Sequence, residues 1–357
     1  MRVLVVNAGS SSLKLRLLGP GDETLDEADV PAPRAEVDAG AVAAWIERAG
    51  DVEAVGHRIV HGGERFTTAV RIDDAVVQEL RALTDLAPLH QPKSLAALEA
   101  VTRVLPDTPA VACFDTAFHA TLPDPARTYA VPAAWRERWG VRRYGFHGLS
   151  HAYASRRAAE LTGARRIVTC HLGAGASLAA VDDGRSVDTT MGFTPLEGLV
   201  MATRSGSVDP GLLLWLLERE QVGVTEMAEA LEHESGLLAL TGTDDMREVI
   251  ARDDDRAGLG FAVYAHRLRA GIGAMAAALG GVDALVFAGG VGERSAAVRA
   301  AAAEGLAFLG VEVDAARNQA AAGDADISAP GAAAAALVVE SREDLEIAAQ
   351  VRAVLDP

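Results

Sequence analysis

The sequence predicts an α/β fold with mixed sheets, and three observations carry that expectation. Short apolar runs bounded by Gly and Asn alternate with stretches of helical periodicity along the chain. The N-terminal VLVVNAGSSSLKL (residues 3–15) reads as a strand, a Gly/Ser turn and a second strand. The run IVTCHLGAGASLAAV (167–181) has the same layout, with Asn7 falling on His171 and Gly9 on Gly173. One device used twice, in a chain of 357 residues, suits two domains better than a single core.

In chain order, strands are expected at 2–6, 13–18, 54–60, 110–114, 167–171, 177–182, 284–288 and 336–340, each an apolar run closed by turn residues. The helix at 210–219 opens with Pro210 after Asp209, the chemistry of a helix start. The pattern at 256–280 is apolar around most of its circumference and stops at Gly280-Gly281, which predicts a central, buried helix. The Ala-rich stretch 318–335 reads as a small-residue helix with a loop that carries no chemistry. Two prolines within 118–125 mark the expected domain boundary.

Composition narrows the function classes. A net charge of −17 argues against nucleic acid or an anionic membrane as partner, because docking on phosphates needs a basic face. Of 33 basic residues only Lys14 and Lys93 are lysines, and Lys14 lies in the opening hairpin. Cys113 and Cys170 end apolar runs and read as buried small residues, with neither metal spacing nor a disulfide framework. Four apolar residues between Arg2 and Asn7 are too few for a secretory leader, so a cytoplasmic protein is expected.

Several stretches are suited to anions. In NAGSSSLK (7–14), Gly allows close backbone approach, successive amides form a concave nest, and Lys14 shares a strand face with Ser12. HLGAGAS (171–177) would offer the same grip from a second domain. AGGVGERS (288–295) is a Gly-rich strand-to-helix turn. Seven of nine histidines lie between 57 and 171, in GHRIVHGG (56–63) and RRYGFHGLSH (142–151) among others. Neither spacing matches a zinc site, and the neighbouring arginines favour a small anion. Arg204, in a Thr-Arg-Ser-Gly turn, is a further oxyanion ligand candidate.

VLVVNAGSSSLK, GHRIVHGG, APLH, FDTAFH, RRYGFHG, HLGAGAS, MGFTPLEG, TRSG, DMR and VFAGGVGE occur in the order and spacing of acetate kinases, which the chain resembles from its first strand to its last helix. The resemblance implies two ribonuclease-H-like domains, 1–119 plus 343–357 and 120–342, with a nucleotide cleft between them and a homodimer as the assembly. It implies Mg²⁺-dependent phosphoryl transfer from ATP to acetate, with Mn²⁺ as an alternative metal. Asn7 and Glu343 would hold the metal, although Glu343 also reads as a first-turn acid of a helix capped by Ser341. Arg58 would bind the carboxylate, Asp115 is the matched catalytic aspartate, and His147 and Arg204 would stabilise the transferring phosphoryl group. Val60, Leu89, Phe146 and Pro195 would form the acyl pocket. Nucleotide would lie against Ser10, Ser12 and Lys14, the hairpin His171, Leu172, Gly173, Ala174 and Gly175, the trio Asp245, Met246 and Arg247, and the turn Gly290, Val291, Gly292, Glu293 and Arg294.

Ala174 and Arg294 stand where the resembled family usually has Asn, and the chain is shorter than typical members before residue 50. These departures leave pyrophosphate open as an alternative phosphoryl donor, while Asp245-Met246-Arg247 favours ATP. A propionate or butyrate kinase is a second alternative, and a non-catalytic, chaperone-like ATPase a remote one.

Overall fold

The computed structural model describes residues 1–9, 12–31, 38–86 and 91–356, so Ser10 and Leu89 lie outside the described residues. The chain divides into two compact units: 1–120 with 146–153 and 342–357, and 121–145 with 154–341.

Unit 1 holds a six-stranded sheet of β1 (Val3–Ala8), β2 (Ser12–Leu18), β3 (Thr24–Pro31), β4 (Ala54–Ile59), β5 (Val70–Arg71) and β6 (Ala110–Phe114), in the order β3-β2-β1-β4-β6-β5. β1 pairs antiparallel with β2 and parallel with β4, which is itself parallel to β6. Unit 2 holds β7 (Arg166–Leu172), β8 (Ala176–Asp182), β9 (Arg185–Thr189), β10 (Ala284–Ala288), β11 (Ala325–Asp326) and β12 (Ala335–Val338), in the order β11-β12-β10-β7-β8-β9. Each sheet is an antiparallel meander of three strands, two parallel strands after it, and a short antiparallel edge strand. The repeated hairpin read in the sequence is thus the start of a repeated topology. The fold is the expected α/β class with duplicated mixed sheets.

Period-2 alternation sorts the unit 1 core onto two faces. Leu4, Val6, Leu13, Leu15 and Leu17 pack with Val42, Trp45 and Ile46 of the helix Ala39–Ala49 and with Ala97 and Val101 of Gln91–Val104. Val3, Val5 and Leu18 face the other way, onto Ile347, Ala348 and Val351 of the last helix, Glu343–Leu355. That helix lies close enough that a Cβ on Gly56 would come within 2.4 Å of Ile347 and 2.7 Å of Val351. Gly56 is thereby the residue that lets the last helix seat on β4. A Gly56→Val variant overpacks this contact and is expected to lose about 1–3 kcal/mol of stability, read as a lower urea midpoint at unchanged slope. An unchanged midpoint would refute the close packing.

The segment 146–153 belongs with unit 1 because Leu149 joins the Val3/Ile347 core and Gly148 N donates to Asp115 O at 2.9 Å. A Cβ on Gly148 would lie 2.1 Å from that oxygen.

Three expectations need correction. The helix Asp255–Leu279 is one-sided: Ala257, Gly260, Tyr264, Leu268, Ile272 and Met275 are buried, whereas Leu259 is exposed, so its apolar circumference overstates its burial. The Ala-rich stretch contains the edge strand β11, and its Asn318 is a buried hydrogen-bonding residue. The N-cap position of the last helix is Arg342 and not Ser341; Arg342 makes no side-chain cap hydrogen bond and pairs instead with Asp344.

On β4, His57 is buried and neither ring nitrogen has a partner among the described residues. Burial lowers the pKa of His57 and of His61 to about 4. Both are neutral in the folded protein, while the unfolded chain binds protons at about pH 6.5. Stability is therefore full above about pH 6.5 and falls as pH drops towards 4, by up to about 3 kcal/mol per histidine. Urea melts across that window should show the loss, and His57→Phe should roughly halve its slope. An equal slope in the variant would rule His57 out as a source.

Candidate active site

In unit 1, Asn7, Arg58 and Asp115 sit at or just beyond the C-terminal ends of three adjacent parallel strands, β1, β4 and β6. In open α/β sheets that edge is where ligands bind. Arg58 organises the group. Its Nε donates to both Asp115 oxygens at 3.1 and 3.2 Å, Nη2 donates to Asp115 Oδ2 at 2.7 Å, and Nη1 donates to Asn7 Oδ1 at 3.0 Å. Glu343, at the start of the last helix, accepts from Asn7 Nδ2 at 2.8 Å and lies 3.7 Å from Arg58 Nη1. Gly56 and Arg58 share a face of β4, so the approach that Gly56 permits also delivers Glu343 to Arg58.

The side chains of Arg58 and Asp115 are 14% and 1% exposed. Burial opposes the charge of Arg58, but the Asp115 and Glu343 carboxylates beside it hold its pKa above the ordinary arginine value. Burial pushes the Asp115 carboxyl up, and Arg58 pulls it back. One guanidinium against two carboxylates leaves the group one negative charge in excess.

Val60 and Phe146 are buried, Phe146 meets the edge of His61 with ring centroids 5.6 Å apart, and His119 Nε2 holds the Phe146 carbonyl at 3.1 Å. His61 Nδ1 accepts from Gly63 N at 2.9 Å, which fixes its ring. His147 has φ +57°, a left-handed conformation rare for a non-Gly residue and of the kind that clusters at functional sites. On β2, Lys14 faces solvent opposite Asn7, and the Gly/Ser turn is closed by Gly9 N donating to Ser12 O at 2.9 Å.

In unit 2 the corresponding hairpin is closed one residue tighter, by Gly173 N donating to Gly175 O at 2.9 Å, and Ala174 is exposed at its tip. His171, next to last in β7, lies opposite Ser177. Ala288 of β10 pairs with His171, and the turn helix Gly289–Arg294 follows directly. Gly289 has φ +77°, and a Cβ there would lie 2.7 Å from Leu172 O. Only glycine lets the turn after β10 approach the end of β7 so closely. Arg299, 2% exposed, donates to the carbonyls of Gly292, Glu293 and Asn318 and to Asn318 Oδ1, fixing the far end of the turn.

Arg204 and Pro195 also come together: Arg204 Nη1 donates to Pro195 O at 3.0 Å, and its Nε lies 3.5 Å from Glu232. Burial lowers the Arg204 pKa, with Glu232 opposing. Asp245 and Arg247 instead bond each other and cap the helix Met246–Ala251, while Met246 is buried.

Glu232, Arg299 and Asn318 were missed in the sequence, as was Arg143, which donates to Thr190 O, Met191 O and Glu197. Of these, only Arg143 lay within a recognised motif, RRYGFHG, and could have been found there. Cys113 and Cys170 are buried and unpaired. No described helix is long and apolar enough to cross a membrane.

The chain is similar to known proteins along most of its length. The sequence profile of the acetokinase family matches residues 34–349. The acetate kinase of Nostoc punctiforme is 50% identical over 85% of this chain and 76% of its own length. That of Phocaeicola vulgatus is 40% identical over the whole of both chains. Among solved structures, Porphyromonas gingivalis acetate kinase superposes with a TM-score of 0.90 at 36% identity, covering 99% of each chain. A propionate kinase from Francisella tularensis gives 0.92 at 33% identity, covering 99% of this chain and 100% of its own. With a profile match over most of its length and relatives alike from end to end, the chain belongs to the acetokinase family.

Proposed function

We propose that the protein is an acetate kinase, transferring the terminal phosphoryl group of ATP to acetate and reversing that reaction. The Arg58 group is the observation that carries this reading. Of the five N–H donors of a guanidinium, Asp115 takes two and Asn7 one, which leaves two for an incoming carboxylate. A ligand carboxylate held there would lie near an apolar wall of Val60 and Phe146, which suits a short acyl chain.

Acetate is ionised at neutral pH, so its oxygen attacks the terminal phosphorus without a base. A new O–P bond forms as the bond to the ADP oxygen breaks, and ADP leaves with that electron pair. No proton moves, and catalysis rests on positioning and charge. Arg58 orients the acceptor, Asp115 orients Arg58, and His147 and Arg204 stabilise the transferring group. Lys14, Ser10 and Ser12 serve the phosphates, with the His171–Gly175 hairpin, Asp245–Arg247 and Gly290–Arg294.

Asn7 Oδ1, which accepts from Arg58 Nη1, and the Glu343 carboxylate, which accepts from Asn7 Nδ2, are hard oxygen ligands on neighbouring side chains, and they would suit Mg²⁺, which takes few protein ligands beside substrate phosphates. When bound, the ion would supply the positive charge that the group lacks. Pro195, with its carbonyl on Arg204, contributes to the acyl side, as does Leu89.

We also infer a cytoplasmic homodimer. The helix Pro210–Arg219 has no buried residue and exposes Leu212, Leu214 and Trp215, an apolar surface that a second copy would cover.

The test traps acetyl phosphate with hydroxylamine from acetate, Mg²⁺ and ATP, with propionate and butyrate substituted in turn. Acetate is expected to lead propionate by about 10- to 100-fold in kcat/KM, the worth of one methylene. A propionate lead would favour the second reading, which the likeness to the Francisella tularensis propionate kinase supports. Pyrophosphate formation from acetyl phosphate and phosphate, without ATP activity, would overturn the choice of donor.

A further inference from the structure

Glu293 closes the Gly-rich turn in a way the phosphoryl-transfer reading does not use. Its Oε1 accepts from Gly289 N at 3.0 Å and from Ser341 N at 2.9 Å. The first bond ties the turn helix back to its own first residue, at the φ +77° glycine packed on Leu172. The second reaches across 48 residues to Ser341, just beyond the end of β12. Ser341 is also the last residue of unit 2, and the chain enters unit 1 at Arg342. Glu343 follows at once. A single carboxylate oxygen therefore joins the nucleotide-side turn to the connection that carries the metal-side carboxylate.

We propose that Glu293 is a positioning residue that locks the Gly289–Arg294 turn to the Ser341 connection, so that nucleotide binding and the placement of Glu343 depend on one shared pair of hydrogen bonds. It does not touch substrate in this role. Its work is done through two backbone N–H groups, and a neutral oxygen acceptor serves as well as a charged one. This inference rests on the acetate kinase reading for its kinetic consequence but not for its structural one.

The experiment compares Glu293→Gln, which keeps the acceptor oxygen, with Glu293→Met, which keeps the length and removes it, in the full chain. Hydrogen–deuterium exchange without substrates, followed by mass spectrometry, reads the segments 286–294 and 338–342. Steady-state kinetics reads KM for ATP, Mg²⁺ and acetate. The Met variant should lose protection in both segments together and raise KM for ATP and for Mg²⁺ by about tenfold, the loss of one or two backbone hydrogen bonds. Its KM for acetate should stay within about twofold, and the Gln variant should regain, relative to Met, the protection of both segments. A general loss of stability would move all three constants and would not be rescued by Gln.

Unchanged exchange in the Met variant overturns the lock. Gln as impaired as Met, with normal protection, also overturns it, because the charge itself would then be what matters. If the unaltered protein makes no acetyl phosphate, the acetate kinase reading fails, whereas the exchange data still decide the lock.

Discussion

Arg58→Ala should lower kcat/KM for acetate by about 10³-fold or more, the largest loss of any single side chain in unit 1. The variant removes the donors offered to the acceptor carboxylate. It also leaves Asp115, 1% exposed, without its cation. Breaking a buried pair costs about 3–5 kcal/mol in stability, which adds unfolding to the loss of activity. Asp115→Asn separates the two effects. It keeps an oxygen acceptor for the Arg58 Nε and Nη2 donors, removes the buried charge, and should fold with near-parental stability. If Asp115 acts by orienting Arg58, the Asn variant should lose about tenfold to a hundredfold in kcat/KM for acetate with no new pH dependence, since acetate needs no proton removed. A proton-carrying Asp115 predicts a parental pH profile with a limb that disappears in the Asn variant. Rates measured at pH 5.5 to 8.5 on samples with matched urea midpoints distinguish them. Parental kcat/KM in Arg58→Ala would sink the assignment of the acceptor site.

The legible parts of this molecule are those where one residue's neighbours fix its role. β1, β4, β7, β8 and β10 are strongly apolar because both faces are buried, and their apolar runs mark them within a residue or two. β3, β5, β9 and β11, the four edge strands, carry no such run for the opposite reason. β3 (TLDEADVP) is an edge strand with Asp26, Glu27 and Asp29 along it, the charge that protects an edge from further pairing and also hides its periodicity. The same division holds at the site. Asn7, Arg58 and Asp115 end parallel strands, so their meeting follows from topology once the strands are placed. Glu343 reaches them because of Gly56, whose meaning depends on Ile347 and Val351 nearly 300 residues away. Glu232 and Arg299 carry no local signal at all. Each sits on an ordinary helix, and only tertiary packing brings Glu232 to Arg204 and Arg299 to the carbonyls of Gly292 and Glu293.

Arg204→Ala should lower kcat by about 10²- to 10³-fold while KM for ATP changes by less than about threefold. The asymmetry follows from what holds the side chain. Arg204 is 16% exposed, donates to Pro195 O, and stands 3.5 Å from Glu232, so its guanidinium is already fixed before substrate arrives. A fixed cation costs no reorganisation when charge develops on the transferring phosphoryl group, and it acts on the transition state more than on bound ATP. Glu232 is the control. Glu232→Gln keeps an oxygen at the same place but removes the opposing charge, so the Arg204 guanidinium should stay seated and kcat should fall by no more than about threefold. An Arg204→Lys variant keeps the charge but loses the planar fork that reaches Pro195 O and should recover only part of the loss. Equal losses in kcat and ATP affinity would make Arg204 a nucleotide-binding residue, and an unchanged kcat would remove it from the reaction.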